Sequence, residues 1–216
     1  MVWTDAQGRA LTDYPRPSVA VDVAVLTVLD GGLRVLVVDG PFGRALPGTF
    51  LHPGERLTDA ATRALRDKAG VGDLAFHQLG LYDDPRRDDR GWVLSMAHGS
   101  AAAAHALPPT AELVEIVDGR PAHPLAFDHE DMVAAAVADL RTRYADNADP
   151  DDLLGDRFTL LELRRVHEAI VGRTLPKDTF RRRMLAHVEG TGDHVTADAG
   201  RPAELFRCIE RPPVTP

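Results

Sequence analysis

The fold is decided by the stretch LPGTFLHPGERLTDAATRALRDKAGV, residues 46–71. It predicts a helix over residues 57–69, because Gly70 stands where a helix commonly ends on a left-handed cap. On its N-terminal side, residues 18–29 are β-branched and alternate, and residues 33–39 return after a turn at Asp-Gly-Gly. This pattern predicts two antiparallel strands leading into the loop and helix.

One face of the predicted helix carries mixed chemistry. Ala64, Asp67 and Lys68 lie at positions i, i+3 and i+4, so a helix brings them to the same side. A methyl, a carboxylate and an ammonium do not form a site for a divalent cation, which needs several oxygen ligands. A metal site built from these three positions is therefore not expected.

The chain continues as alternating strands and a second long helix. Apolar runs predict strands over residues 75–82, 92–99 and 112–117. A helix is expected to begin near Asp128, with Asp131 three residues on in a capping-box-like arrangement. The polar, acidic stretch 145–156, which holds a Pro, is then interpreted as a linker between two domains.

The last sixty residues have a different pattern. Thr159 and Glu162 form a predicted capping box at the start of a helix that stops at Gly172. A second helix over residues 178–187 follows, and two short strands are expected at 188–196 and 203–208. Helix, turn, helix and hairpin are the order of a winged helix-turn-helix.

Charge divides the chain in the same place. The net charge of the whole chain is −8, but residues 157–216 hold 11 Arg and Lys against 8 Asp and Glu, a net of +3, which leaves −11 for residues 1–156. A basic C-terminal module suits an acidic partner such as DNA. The single Cys208, the absence of a long apolar run and the absence of a basic-then-apolar N-terminus predict a cytoplasmic protein that does not associate with membranes.

Residues 46–71 resemble a degenerate Nudix box. Five positions keep the pattern of the box, and four depart from it at the opening Gly and at the metal-binding carboxylates. The kept positions are Glu55, Arg63, Leu65, Gly70 and Val71, and the changed positions are Thr49, Ala64, Asp67 and Lys68. Four further segments, 80–98, 123–144, 157–172 and 175–207, match in order, so the chain resembles the Nudix-related transcriptional regulators.

That resemblance implies a complete architecture and a function. The implied fold is α+β, with a Nudix-like α/β/α sandwich over a mixed sheet in residues 1–150 and a C-terminal winged helix-turn-helix in residues 151–216. The family implies a repressor that binds double-stranded DNA at a palindromic operator as a homodimer, often at genes of NAD metabolism. Its small-molecule effector is expected to be a nucleotide sugar or sugar phosphate such as ADP-ribose, without catalytic residues, metal or cofactor.

Residues for DNA recognition are expected on the second helix of the C-terminal module. Steps of 100° per residue place Phe180, Met184 and Leu185 on its buried side and turn Thr179, Arg182 and Arg183 outward. Arg forks suit the major groove because they can bond guanine O6 and N7 together. Arg181 is expected nearer the core edge, contacting backbone phosphate, and Arg201 between the two strands is a candidate wing contact; each of these five positions could instead be an ordinary exposed residue.

Ligand-binding candidates lie in and around the degenerate box. Arg44 stands where the family has an aromatic residue, and the loop DDPRRDDRG, residues 83–91, offers Arg86 and Arg87 as bidentate phosphate partners or as a mixed-charge surface. Lys68 has two interpretations: its ammonium meets the ligand phosphate where a metal would stand, or it forms a salt bridge with Glu55 or Asp67. The salt bridge is slightly favoured. Glu55 and Asp67 complete the ligand-binding set and could bind Mg²⁺ weakly.

Two alternative functions remain open from the residues. One is a residual metal-dependent Nudix hydrolase that rebuilds its site from Glu55, Asp67 and the acidic residues of the 83–89 cluster. The other is an interaction module that does not bind DNA.

Overall fold

The computed structural model describes residues 3–72, 74–195 and 202–209. Short 3₁₀ turns occur at Leu11–Asp13 and Ala104–Ala106. The N-terminal part contains, in chain order, β1 (Ser18–Leu29), β2 (Gly32–Gly40), β3 (Gly43–Ala45), β4 (Gly48–Phe50), α1 (Leu57–Ala69), β5 (His77–Tyr82), β6 (Val93–Ala101), β7 (Glu112–Val117), β8 (Arg120–Pro121) and α2 (His129–Ala145).

These strands form one mixed sheet in the order β5-β6-β1-β2-β7-β8, with β3 paired to β2 and β4 paired to β1. Strands β1 and β6 run parallel from the pair Ser18–Val93 to the pair Leu26–Ala101. The hairpin β1–β2 is antiparallel and turns at Asp30-Gly31, both of which have positive φ. Pairing of β4 with β1 places Gly48 opposite Asp22.

A helix covers each face of the sheet. Alternation along β1 sends Val21, Val23 and Val25 to the face covered by α1. The intervening Ala24 and Leu26 pack on the opposite face with the apolar side of α2. The predicted α/β/α sandwich is therefore confirmed.

The C-terminal part is a winged helix-turn-helix, as predicted. Its elements are β9 (Phe158–Thr159), α3 (Leu160–Val171), α4 (Lys177–Met184), β10 (Val188–Val195) and β11 (Ala203–Cys208). The three strands form a sheet in the order β10-β11-β9. Its core consists of apolar side chains from all of these elements together with one residue before them, namely Ala148, Phe158, Leu163, Phe180, Met184, Val188 and Phe206.

Helix ends confirm one predicted cap and correct another. The Thr159 hydroxyl accepts from the Glu162 backbone N–H, and the Glu162 carboxylate accepts from the Thr159 backbone N–H, so this capping box is present. The capping box predicted at Asp128 is wrong, since the Asp128 side chain makes no cap hydrogen bond. Its carboxylate instead accepts two hydrogen bonds from Arg87, a charged partner that a sequence pattern does not show.

The predicted second helix of the C-terminal module is too long. It ends at Met184 rather than His187, and Leu185, expected on the buried side, is 42% exposed. Leu185 is the C-cap residue and still has right-handed helical φ and ψ, but it lies at the end of the helix, where less of the core covers it.

The acidic stretch interpreted as a linker is packed against both parts. Asp149 accepts hydrogen bonds from the Tyr144 hydroxyl and from the backbone N–H groups of Leu153 and Leu154. Ala148 and Leu153 are buried. The position of the domain boundary stays a prediction, but this segment is not a loose tether.

Helix α2 connects the two parts. It has 17 residues, so it is about 25 Å long. Near its end, the Tyr144 ring packs edge-on against His167 of α3, which packs in the same way on Phe180 of α4. Val166 and Ile170 of α3 belong to the same apolar core as the inner face of α2.

No helix in the described part of the chain is long and apolar enough to cross a membrane.

Candidate ligand cavity and nucleic-acid interface

A cavity of about 580 Å³ opens between the sheet, the loop that contains residues 83–91 and the first turn of α2. Its polar and charged lining residues come from the sheet, from α1, from the 83–91 loop and from the start of α2, and its aromatic residues come from β4 and from two loops. The lining residues used below are Asp22, Phe42, Gly48, Thr49, Phe50, Lys68, Arg87, Asp88, Arg90, Phe127 and His129.

The floor of the cavity is a buried polar network around Asp22. The Ser95 hydroxyl donates to Asp22 Oδ2 at 2.6 Å, and His129 Nε2 lies 3.5 Å from Asp22 Oδ1. Burial alone would raise the pKa of Asp22, but these donors and the Arg87 guanidinium hold that pKa below its ordinary value. Asp22 is therefore an ionised carboxylate buried within β1.

His129 links this floor to the degenerate box. The backbone N–H of Leu46 donates to His129 Nδ1 at 2.9 Å, so this nitrogen is an acceptor and the proton of the neutral ring is on Nε2, toward Asp22. The Cβ of any residue other than glycine at position 48 would lie 1.8 Å from Asp22 Oδ1. The start of α2, β1 and the loop before β4 are thus fixed to one another around a single carboxylate.

Arg87 is buried and fully engaged within the protein. Its side chain is 4% exposed, and it bonds both carboxylate oxygens of Asp128, at 2.8 and 2.6 Å, while Nη2 lies 3.8 Å from Asp22. Burial would lower the pKa of Arg87, but these carboxylates raise it. Arg87 does line the cavity, yet its fork already has a partner.

The rim of the cavity is aromatic. Arg90 lies with its Cζ 5.2–5.3 Å from the ring centres of Phe42, Phe50 and Phe127, within cation–π range. The same guanidinium bonds both oxygens of Asp88 at 2.9 and 2.6 Å. These rings are 37–53% exposed, so the cavity presents flat apolar surfaces at its mouth although the family's aromatic residue is replaced by Arg44.

Glu55 is bonded by Arg63, the Arg that keeps its place in the box. The Arg63 guanidinium donates to both oxygens of Glu55 at 2.8 Å and to the Thr49 hydroxyl at 3.0 Å. These bonds lower the pKa of Glu55 to about 2. Glu55 does not line the cavity.

Lys68 does line the cavity, and the salt bridge favoured for it is wrong. Glu55 pairs with Arg63, and Asp67 pairs with Arg66 at 3.1 Å. No carboxylate of the described residues lies within 4.0 Å of the Lys68 ammonium. Its charge is therefore available to a ligand.

The other predicted ligand residues lie outside this cavity. Asp67 points away on α1 and is 55% exposed, and Arg44 stands 4.0 Å from Asp39 and from Glu112. Arg86 is 90% exposed and lines a shallower adjoining concavity of about 610 Å³. Of the six predicted positions, the cavity brings together Lys68 and Arg87.

Sequence reasoning missed several cavity residues. Asp22 had a signal, since it is the one charged residue within an otherwise apolar run. His129 and the three Phe carried no signal, because Phe42 and Phe50 come from one part of the chain and Phe127 and His129 from another, and the two parts meet only through the fold.

The predicted DNA-reading residues lie on an exposed helix face. Phe180 and Met184 anchor α4 in the core, and Thr179, Arg182 and Arg183 are exposed, as the helical projection predicts. Arg181 is exposed as well, and its expected contact with backbone phosphate stays a prediction. None of the three Arg has a carboxylate within 4.0 Å in the described part of the chain. The predicted wing residue Arg201 lies outside the described residues.

Comparisons with known proteins agree with this geometry. Residues 150–208 match the model of a family described as the NrtR DNA-binding winged helix domain. The ADPR responsive transcriptional repressor NtrR of Acinetobacter baylyi is 32% identical over 216 residues, covering 91% of this chain and 84% of that relative. An ADP-ribose pyrophosphatase of Methanocaldococcus jannaschii is 31% identical over 131 residues, covering 56% of this chain and 73% of the enzyme.

Solved structures are also similar to this chain. The crystal structure of Shewanella oneidensis NrtR complexed with a 27mer DNA has a TM-score of 0.75 and 29% identity, covering 88% of this chain and 93% of that one. The NUDIX domain of the same protein complexed with ADP ribose has a TM-score of 0.51 and 25% identity, covering 64% of this chain and 99% of that domain.

Proposed function

Because this chain belongs to the NrtR family of transcriptional regulators, we propose that it represses transcription through its winged helix under the control of a nucleotide sugar of the ADP-ribose class. The regulatory role follows from family membership. The identity of the ligand, the dimeric state and the arrangement of the operator are proposed here. We place the protein in the cytoplasm, because that is where its DNA partner would lie.

One observation carries the proposal: a single chain combines an exposed Arg cluster on α4, without a carboxylate partner among the described residues, with a cavity that offers an ammonium and aromatic rings. Exposed Arg on the second helix of a helix-turn-helix suits base edges in the major groove. A cavity of about 580 Å³ is large enough for a ligand of nucleotide size. The two features lie at opposite ends of α2, which gives ligand binding a route to the DNA-reading part.

DNA binding is tested by fluorescence anisotropy of the full chain on a labelled duplex from upstream of its own operon. Replacing Arg182 or Arg183 with Ala is expected to weaken binding by about 1–3 kcal/mol and to relax base preference. Arg120→Ala, which removes an exposed Arg paired with Asp131 in the N-terminal part, is the matched control. Equal affinity of the double Arg182/Arg183 variant and the parent would exclude α4 as the reader.

We further propose a homodimer on a palindrome whose half-sites are about 10 bp, or a multiple, apart. Light scattering gives the oligomeric state, and changing the spacer by about 5 bp is expected to abolish tight binding by turning the half-sites to opposite sides of the duplex.

The effector is expected to weaken DNA binding by about 1–3 kcal/mol of coupling. Linkage requires operator DNA to weaken effector binding by the same factor, so calorimetry with ADP-ribose, with and without operator, tests both directions. Equal ADP-ribose affinity in the two titrations would show that this compound is not the regulator.

A second candidate is a residual Nudix hydrolase, favoured by the similarity to an ADP-ribose pyrophosphatase. We infer that this chain does not turn over nucleoside diphosphate derivatives, since the three box positions are Ala64, Asp67 and Lys68. The test is release of AMP from ADP-ribose in millimolar Mg²⁺ or Mn²⁺. Turnover near 1 s⁻¹, within the usual range of enzymes, would establish the hydrolase instead.

A further inference from the structure

The Nudix fold implies a divalent metal ion, and the residues present do not fit one. Ala64 is buried and offers no donor, and Lys68 puts an ammonium beside the remaining Asp67. Glu55 has both carboxylate oxygens bonded to Arg63. In the described part of the chain, no three His, Cys, Asp or Glu side chains come close enough to hold a metal ion.

Pairing of the charged cavity residues identifies what replaces the metal. Each of them except one has an opposite charge within 4.0 Å among the described residues. The pairs are Asp22 with Arg87, Arg87 with Asp128, Asp88 with Arg90, and Asp39 with Arg44. The exception is Lys68, which lines the cavity without a carboxylate partner in that part of the chain.

We propose that this cavity binds its phosphorylated ligand without a metal ion and that the Lys68 ammonium pairs with the ligand phosphate. The inference rests on the proposed function, since it concerns the same effector. An ammonium offers three N–H donors and a full positive charge, which are what phosphate oxygens need. Asp67 turns toward Arg66 and so leaves the Lys68 charge uncompensated.

The position of Lys68 allows its charge to be removed without disturbing the fold. Its side chain belongs to α1, whose opposite face is anchored in the core by Ala60, Ala61 and Leu65. The helix therefore fixes the Lys68 backbone beside the cavity, from which the side chain reaches the cavity wall. Because the Lys68 side chain has no hydrogen bond or ion pair with the described residues, removing its charge does not disturb a pairing that folding depends on.

The experiment is calorimetry of the full chain with ADP-ribose, in EDTA and in millimolar Mg²⁺, for the parent, Lys68→Gln and Arg56→Gln. The last variant removes the same charge from an exposed residue that directly precedes the same helix and does not line the cavity. Adenosine, which lacks phosphate, is titrated in parallel, and thermal denaturation checks that all three proteins fold alike.

Equal parent affinity in EDTA and Mg²⁺ is expected, together with a roughly ten- to hundredfold loss of ADP-ribose affinity in Lys68→Gln. Affinity for adenosine is expected to stay unchanged in that variant, and Arg56→Gln is expected to match the parent. ADP-ribose binding that requires Mg²⁺, or equal losses in the two variants, would overturn this inference and leave the proposed function standing. An absence of ADP-ribose binding by the parent in both buffers would overturn the proposed effector and this inference with it.

Discussion

Arg87 and Arg86 are neighbours in sequence with opposite surroundings, and this contrast yields a sharp prediction about stability. Replacing Arg87 with Met removes two hydrogen bonds to Asp128 and leaves the buried Asp22 without its nearest guanidinium. Breaking a buried pair by removing one partner typically costs about 3–5 kcal/mol. Asp128 is 21% exposed and can regain some water, and Asp22 keeps Ser95 and His129, so we expect the lower end, about 3 kcal/mol.

The assay is equilibrium unfolding in urea and thermal denaturation at pH 7, followed by circular dichroism. For a chain of this size, a loss of about 3 kcal/mol corresponds to a fall in Tm of roughly 6–12 °C. Arg87→Lys keeps the positive charge but not the fork, and is expected to lie between the parent and Arg87→Met.

Arg86→Met is the matched control. Arg86 is 90% exposed and its pair with Asp84 is a surface contact at 3.5 Å, so its loss should change stability by no more than about 0.5 kcal/mol. Equal destabilisation by the two substitutions would refute the reasoning, since it would mean that neither the burial of Arg87 nor its two hydrogen bonds to Asp128 contribute to stability.

Three further outcomes are expected. Gly48→Ala should fail to fold or lose several kcal/mol in urea unfolding, because its Cβ would stand 1.8 Å from Asp22 Oδ1. Glu55→Gln should flatten the fall of stability at acid pH. Arg63 lowers the pKa of Glu55 to about 2, so the ionised carboxylate contributes stability above pH 4.5 that is lost as pH falls toward 2. Urea unfolding midpoints over that pH range measure the effect. Thr159→Ala should cost about 0.5–2 kcal/mol through loss of the helix cap, measured in the same way.

These three have their own controls. Gly54→Ala places a Cβ in open space at a φ of +81°, so it should cost only about 1 kcal/mol, and a similar loss at both glycines would remove the argument from the clash. Arg63→Gln removes the guanidinium that lowers the pKa of Glu55 and should flatten the fall of stability at acid pH as Glu55→Gln does; a fall as steep as the parent's in both variants would exclude this pair as the cause. Thr142→Ala removes a hydroxyl inside α2 that does not cap a helix; if it cost as much as Thr159→Ala, the cap would not be the cause.

Periodicity and turn chemistry predicted the elements well. The strand 18–29 and the helix 57–69 have the predicted bounds, since both are long, regular and closed by glycine turns. The short strands β3, β4 and β9 were not predicted, because two or three residues carry no period and their strand geometry comes from pairing with β2, β1 and β11.

The candidate site was predicted less completely, for a physical reason. Lys68 follows from helical spacing, which is local, but its lack of a partner depends on where Arg63 and Arg66 send their own forks. Arg87 was expected to bind phosphate because it is a basic residue in a charged loop. Its partner Asp128 is 41 residues away, and only the folded chain shows that the guanidinium is occupied.

The core that α2 shares with α3 has a consequence for how such proteins diversify. A winged helix cut away at residue 150 would expose Val166 and Ile170 to water and leave His167 without Tyr144. An exchange of DNA-reading parts between relatives would therefore have to bring along the matching face of α2. The unit that can be inherited by recombination is thus larger than the unit that contacts DNA, and new operator preferences should arise through substitutions on α4 more readily than through wholesale replacement of the module.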